Sequence, residues 1–348
     1  LLLPIGFIVS LTGLIALVAP PNNYDSMTYH LGRVVHWIQN HDVRPYPTNI
    51  DRQLYMPPWA EFAISHFQIL SGGDHLANAV QWLSMLGSLV GVSLIAKQLG
   101  QNRDCQVLAS LVTVCLPMGI LQASSTQNDY VVTFWLVCFV YYVFLILQVV
   151  QSPSSFWLPA ILAGTSLGLA LLTKATAYLF APPFLVWVSV AMARKWGVRS
   201  LMIVFTIFAI GLVINLGQYI RNFEVFGSPI GAPSDISRFT TASEVVDGQF
   251  SRVTSGFAAS LIRNTASEMG TPSYYGNRIV EVAVKKLEIV LPVGGNGGDF
   301  RIEPQQNHED VAGNPIHLLL IGLSAAALFG AFKRGQASIL QYYVLCLL

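Results

Sequence analysis

Four ionisable side chains stand where long apolar stretches stop: Asp25 in "PPNNYDSMTYHLGRVVHWIQN", Asp129 in "STQNDYVV", Lys174 in "GLALLTKATAYLFAPP" and Arg221 in "YIRNFEVFGSPIG". Two are acids and two are bases. A carboxylate can take the proton of an attacking nucleophile, and a fixed cation can stabilise the negative charge that gathers on a departing phosphate. Lys174 has only Thr173 and Thr176 as polar flanks, so its ammonium is expected at or below the level of the lipid headgroups, where a charge is costly. The plainer alternatives are snorkelling of Lys174 toward headgroup phosphate, an anchoring role for Arg221, and helix capping for the two acids.

The elements that must deliver these groups are membrane helices. The 348 residues are 53% hydrophobic and only 11% charged, with a mean hydropathy of +0.55, against about a quarter charged in a soluble domain. Apolar stretches of spanning length run at 1 to 20, 76 to 96, 105 to 122, 130 to 150, 156 to 172, 176 to 193, 201 to 219 and 316 to 332, with a ninth begun at 338. This predicts an all-α polytopic bundle, read as one domain over 1–348 with outer loops at 21–75, 123–129 and 220–315. Alternate connections carry Lys97, Arg103, Arg194, Lys195, Arg199, Lys333 and Arg334 against the single acid Asp104, which marks that side as cytoplasmic. Every other acid falls on the opposite side, so the chemistry is expected to face outward. The first residue is Leu1 and the last, Leu348, lies inside an apolar run, as expected of a piece of a longer polypeptide.

Two outer stretches have helical apolar spacing. Met27, Leu31, Val34, Val35 and Ile38 predict a surface helix with Arg33 and His36 toward water, and Ile279, Val282, Val284 and Leu287 predict another near 276–291. The glycine-rich "GGNGGDFRIEPQQNHED" that follows reads as a mobile loop or a solvated connector. In "NIDRQLYMPPWAEF", Arg52 and Tyr55 could form a rigid wall for a sugar ring, or serve as ordinary interfacial residues. His30 is a second candidate acid or base; His30, His36 and His41 lack the spacing of a helical zinc pair. His308, Glu309 and Asp310 are adjacent and cannot all point one way, so no metal site is predicted. Cys105, Cys115, Cys138 and Cys346 all fall in apolar segments and read as buried thiols. A net charge of +1 and the lack of a Lys/Arg run give nucleic-acid binding no support. No Walker, dinucleotide or serine-elbow pattern is present, so a soluble nucleotide donor is not indicated.

These features fit sugar transfer from a polyprenyl phosphate. The donor's tail must stay in the bilayer while its anomeric carbon reaches water, which requires a site where apolar helices end. Lys174 and Arg221 would meet the leaving phosphate, with Asp25 as general base and Asp129 orienting or assisting. The chain here resembles the GT-C membrane glycosyltransferases, in particular the family 39-like members that include protein O-mannosyltransferases and aminoarabinose transferases. The resemblance lies in the first-loop acid of "NNYDSMTYHLGRVVHWIQN", the acid opening "TQNDYVVTFWLV", the "GLALLTKATAYLFAPP" turn and the "RNFEVFGSPIG" exit. It implies a GT-C fold, inverting transfer, a polyprenyl-phosphate sugar donor, a catalytic role for Asp25 and lipid-phosphate contacts for Lys174. Many relatives have two adjacent acids in the first loop, whereas Ser26 follows Asp25 here, so no cofactor is assigned and a divalent metal is not predicted. Expected partners are the lipid-linked donor, membrane lipid and a lipid, glycan or protein acceptor. The expected location is the inner, plasma membrane with the site on its outer face. The alternatives are a ligase or polymerase of lipid-linked glycans, and a transporter or flippase, which the lack of charges at mid-depth disfavours.

Overall fold

Inside hydrocarbon each backbone N–H and C=O must be bonded within its own segment, so stretches as apolar as these have little choice but to coil. The computed structural model describes residues 1–148, 157–197, 200–231, 250–290, 300–303, 308–309 and 311–333. Among them there are helices and turns but no strand. The chain forms two compact units: the first comprises 1–115, 122–232 and 332–348, and the second 116–121 and 233–331.

The first unit contains α1 (Leu2–Val18), a π-helical turn (Ser26–His30), α2 (Leu31–Asn40), α3 (Arg52–Tyr55), α4 (Trp59–Ser71), α5 (Ala79–Gln98) and α6 (Arg103–Val114). After α7 (Pro117–Gln122) come α8 (Asp129–Gln148), α9 (Trp157–Leu171), α10 (Ala177–Phe180), α11 (Pro182–Trp196) and α12 (Ser200–Phe226). By length and composition, Ala79–Gln98, Asp129–Gln148, Ala177–Trp196 and Ser200–Phe226 can each cross a membrane; Leu2–Val18, Trp157–Leu171 and Pro315–Ala327 are shorter apolar helices. The chain is thus a multi-pass membrane protein. The expected span at 105–122 is not one helix. It ends at Val114, and Pro117, which lacks an N–H and fixes φ, opens a new one.

α8 packs against both α5 and α9, and α9 against α12. Their core is apolar, with Phe139, Phe144, Ile146, Met192 and Ile207 fully buried. The α9–α12 seam depends on small residues: a Cβ on Gly164 would stand 3.0 Å from the Ile207 carbonyl oxygen, and one on Gly168 3.2 Å from the Gly211 Cα. Close backbone approach of this kind is how helices associate without a hydrophobic driving force.

Side-chain amides tie one end of this bundle together. Asn78 Nδ2 donates to the Ala19 carbonyl at 3.0 Å, joining the exit of α1 to the start of α5. Gln81 Oε1 accepts from the N–H groups of Tyr130 and Val131 at the start of α8. Asn128 Nδ2 donates to the Thr173 carbonyl at the exit of α9, and Gln218 and Asn222 of α12 both donate to the Tyr55 carbonyl. At the other end Gln148 Nε2 bonds the Gln98 carbonyl, in the same layer as Lys97, Lys195 and Trp196. The helices therefore deliver residues after α1, before α8 and after α9 to a single end.

The second unit contains α13 (Phe250–Glu268), α14 (Tyr274–Val290) and α15 (Pro315–Lys333). Arg263 Nε and Glu288 Oε1, 2.6 Å apart, join α13 to α14, and Glu281 Oε1 accepts the Ile302 N–H. The expected helix near 276–291 is α14; of its four apolar residues only Val284 is buried, and Ile279, Val282 and Leu287 are exposed. Residues 294–299, 304–307, Asp310, Arg199, Arg334, Cys346 and the ninth stretch from 338 lie outside the described residues.

Candidate active site

The chain leaves α1 through Pro20 and Pro21 and re-forms at once as a π-helical turn, in which the Leu31 N–H bonds the Ser26 carbonyl five residues back. Asn23 Oδ1 accepts the Ser26 N–H at 2.7 Å and does the capping there. Asp25 makes no side-chain capping bond. Its Oδ2 lies 3.4 Å from the Tyr29 hydroxyl, and the carboxylate is partly exposed. One-turn π insertions are common where a side chain must be aimed, and this one aims both Asp25 and Tyr29.

Tyr29 is the hub of the charges. It is buried, and its hydroxyl pKa is pushed well above the ordinary tyrosine value by burial and then by the negative fields of Asp25, Glu61 and Asp129, with Arg52 opposing. Three carboxylates from three elements, together with Arg52 of α3, thus act electrostatically on one phenol, and Asp25 is hydrogen-bonded to it.

Asp129 opens α8, and its Oδ1 lies 2.6 Å from Lys174 Nζ. Lys174 follows α9, placed by two helical-type bonds in which the N–H groups of Thr173 and Lys174 both reach the Ala170 carbonyl. The side chains are 38% and 30% exposed, so the pair stands at the rim with ammonium hydrogens still available to a ligand. Arg221, half-buried near the end of α12, lies within the electrostatic reach of Arg33. Tyr55 sets its ring edge-on to Phe226 of α12, and Gly231, at φ +128°, leaves room that a Cβ would fill 2.7 Å from Tyr55 Cδ2.

Behind this rim is an ionic cluster in the protein interior. Glu61 of α4 is 0% exposed, and its Oε1 lies 2.7 Å from His30 Nδ1 and 3.7 Å from Arg33 Nη1. Burial works to raise the Glu61 carboxyl, but the Arg33 guanidinium and the His30 hydrogen bond outweigh it and hold the group below the ordinary value. The ionised carboxylate fixes a proton on His30 Nδ1. Arg33 also donates from Nε to the Gln53 carbonyl at 2.6 Å and from Nη2 to the Arg52 carbonyl at 2.8 Å. Gln53 Nε2 returns a bond to the Thr28 carbonyl over Gly32, where a Cβ would meet that amide nitrogen at 2.7 Å. The expectation that Arg33 faces water is therefore wrong. Arg33 is 1% exposed, because an acid from α4 and two carbonyls of α3 replace its hydration.

All seven sequence-derived candidates, Asp25, Asp129, Lys174, Arg221, Arg52, Tyr55 and His30, belong to elements gathered at this end. The pairing of Asp129 with Lys174 and the partners Tyr29, Glu61, Arg33 and Gln53 are not read from sequence. Glu61 had one signal, being the only acid of the apolar run "WAEFAISHFQIL". Among the described residues no three His, Cys, Asp or Glu side chains form a metal-holding group.

Residues 56–217 match the family model described as Dolichyl-phosphate-mannose-protein mannosyltransferase, a family of the GT-C membrane glycosyltransferases, as the sequence resemblance implied. Among solved structures, the crystal structure of ArnT from Cupriavidus metallidurans in the apo state is similar at 17% identity, with a TM-score of 0.49 over 62% of this chain. The chain spans 41% of that protein's length. No curated protein matches the chain.

Proposed function

We propose that this chain, whose residues 56–217 match the dolichyl-phosphate-mannose-protein mannosyltransferase family model, moves a sugar from a polyprenyl phosphate to an acceptor at the outer face of the membrane. The acceptor's nucleophilic atom attacks the anomeric carbon from the side opposite the phosphate. The bond from that carbon to the phosphate oxygen breaks, and the phosphate leaves with the electron pair. The nucleophile's proton passes to the Asp25 carboxylate. Attack from the far side inverts the anomeric centre.

One observation carries the reading: Asp25, 3.4 Å from the Tyr29 hydroxyl, and the Asp129–Lys174 ion pair, 2.6 Å apart, stand where apolar helices stop at one end of a membrane bundle. Lys174, anchored by Asp129, offers its remaining N–H groups to the phosphate, and Arg221 supplies a second positive charge. In this partly dehydrated rim, fixed cations stabilise developing charge more than they would in water. Asp129 orients Lys174, while Arg52 and Tyr55 border the space for the sugar. The Lys/Arg-rich opposite end faces the cytoplasm under the positive-inside rule, which turns the site outward.

The test incubates purified protein with a panel of polyprenyl-phosphate sugars and follows release of polyprenyl phosphate, wild type beside Asp25→Asn. Release from one donor by the wild type, abolished in Asp25→Asn, is the expected outcome. No release from any donor, or equal release by both proteins, would contradict the reading.

A further inference from the structure

The transfer step as described leaves a connected set of buried groups without a role. Tyr29 stands four residues beyond Asp25 with its hydroxyl 3.4 Å from Oδ2. Its ring lies against that of His30, centroids 4.1 Å apart. His30 bonds Glu61, and Arg33 faces the same carboxylate oxygen while gripping two carbonyls of the neighbouring segment. Fully buried ions are poor stabilisers: well-packed apolar residues of the same volume often do as well or better. Here the balance is worse still, because Glu61 Oε2 and Arg33 Nη1 are buried with no hydrogen-bond partner. This costly cluster lies beside Tyr29, whose ring rests on His30 and whose hydroxyl is 3.4 Å from Asp25 Oδ2.

We propose that Tyr29 is a positioning residue for Asp25, and that Glu61, acting through His30, holds Tyr29 in place. A phenol has one hydrogen to donate. Aimed at Oδ2, it selects one orientation of the carboxylate and leaves Oδ1 to receive the acceptor's proton. The charged groups that face Tyr29 are Asp25, Glu61 and Asp129 against Arg52. Burial first, and then this predominantly negative surround, keeps the phenol protonated, and so a donor, throughout the range in which a carboxylate serves as base. Glu61 contributes through its bond, which fixes the His30 ring on which Tyr29 rests.

This inference rests on the role assigned to Asp25, so the experiment runs Asp25→Asn beside Tyr29→Phe, Glu61→Gln and the double variant in the same release assay. Elution volume and thermal midpoint in detergent are recorded for each. Tyr29→Phe keeps the ring and removes only the donor. Its kcat is expected to fall about 10- to 100-fold with donor KM changed by less than about twofold, the pattern of lost orientation rather than lost binding. Glu61→Gln should lose rate in the same direction by a smaller factor, and the double variant should be no slower than Tyr29→Phe alone. Wild-type kcat in folded Tyr29→Phe, or a loss carried by donor KM alone, would overturn the proposal, and multiplying losses in the double variant would remove Glu61 from it. Full turnover by Asp25→Asn would instead defeat the base assignment itself; inactive Asp25→Asn beside normal Tyr29→Phe would defeat this inference alone.

Discussion

The two ends of the helix bundle obey different rules. Toward the Gln98–Gln148 end, α5, α8, α9, α11 and α12 close on Phe139, Phe144, Ile146, Met192 and Ile203, all buried and apolar. At the other end the same helices start or stop on Asn78, Gln81, Asn128, Asp129, Lys174 and Asn222, and the short elements α2 to α4 add a buried Glu–His–Arg cluster. Dispersion and close packing hold the first region. The second is held by directed bonds that fix where charges stand, some of them at an energetic cost. A membrane bundle can keep costly polar groups at one end because its apolar body supplies the stability.

That contrast predicts chiefly rate losses at one end and chiefly stability losses at the other. The largest expected effect is on turnover: Asp25→Asn should lower kcat by about 10²- to 10⁴-fold, the usual worth of a general base, with an unchanged thermal midpoint. Next, Phe139→Ala should remove about 3–5 kcal/mol of stability, read by thermal or denaturant unfolding in detergent, while kcat per folded molecule stays normal. Lys174→Met should lower kcat/KM by about 10- to 100-fold, in line with one charge-assisted hydrogen bond, and release assays over a donor titration measure it. The smallest effect concerns acid. The folded-state pKa of Glu61 lies below the ordinary glutamate value of 4.5, so its ion pairing stabilises the fold fully above that pH. The contribution disappears as pH falls through the depressed folded value. Unfolding midpoints measured below pH 4.5 should therefore drop with pH less steeply in Glu61→Gln than in wild type. A Phe139→Ala protein that loses kcat per folded molecule, or a Lys174→Met protein that loses only stability, would erase the distinction between the ends.

Hydropathy alone marks α1, α5, α8, α9, α11 and α12, because a span needs only length and apolarity. It misses the break at Val114, although Pro117 is visible, because an apolar average does not register a missing N–H. The individual candidate residues are legible where a charge interrupts an apolar run, as Asp129 and Lys174 do. Their pairing is not, since 45 residues separate them and only the packing of α8 against α9 brings them together. Arg33 misleads for a related reason. Helical periodicity assigns a charged residue to the water face by default, and only the fold reveals that Glu61 helps replace its lost hydration. The π-helical turn leaves no sequence signature in "SMTYH", so the aim of Tyr29 is visible only in three dimensions.

The central claim, that the reactive end of the bundle faces outward and the Lys/Arg-rich end inward, is tested most directly by thiol labelling. In a protein with Cys105, Cys115, Cys138 and Cys346 replaced by serine, single cysteines are placed at Asp25, Lys174 or Lys97 and intact cells are treated with a membrane-impermeant maleimide. The account predicts that positions 25 and 174 react from outside and position 97 only after permeabilisation. Reaction of 25 and 97 from one side, or of 25 and 174 from opposite sides, would contradict it.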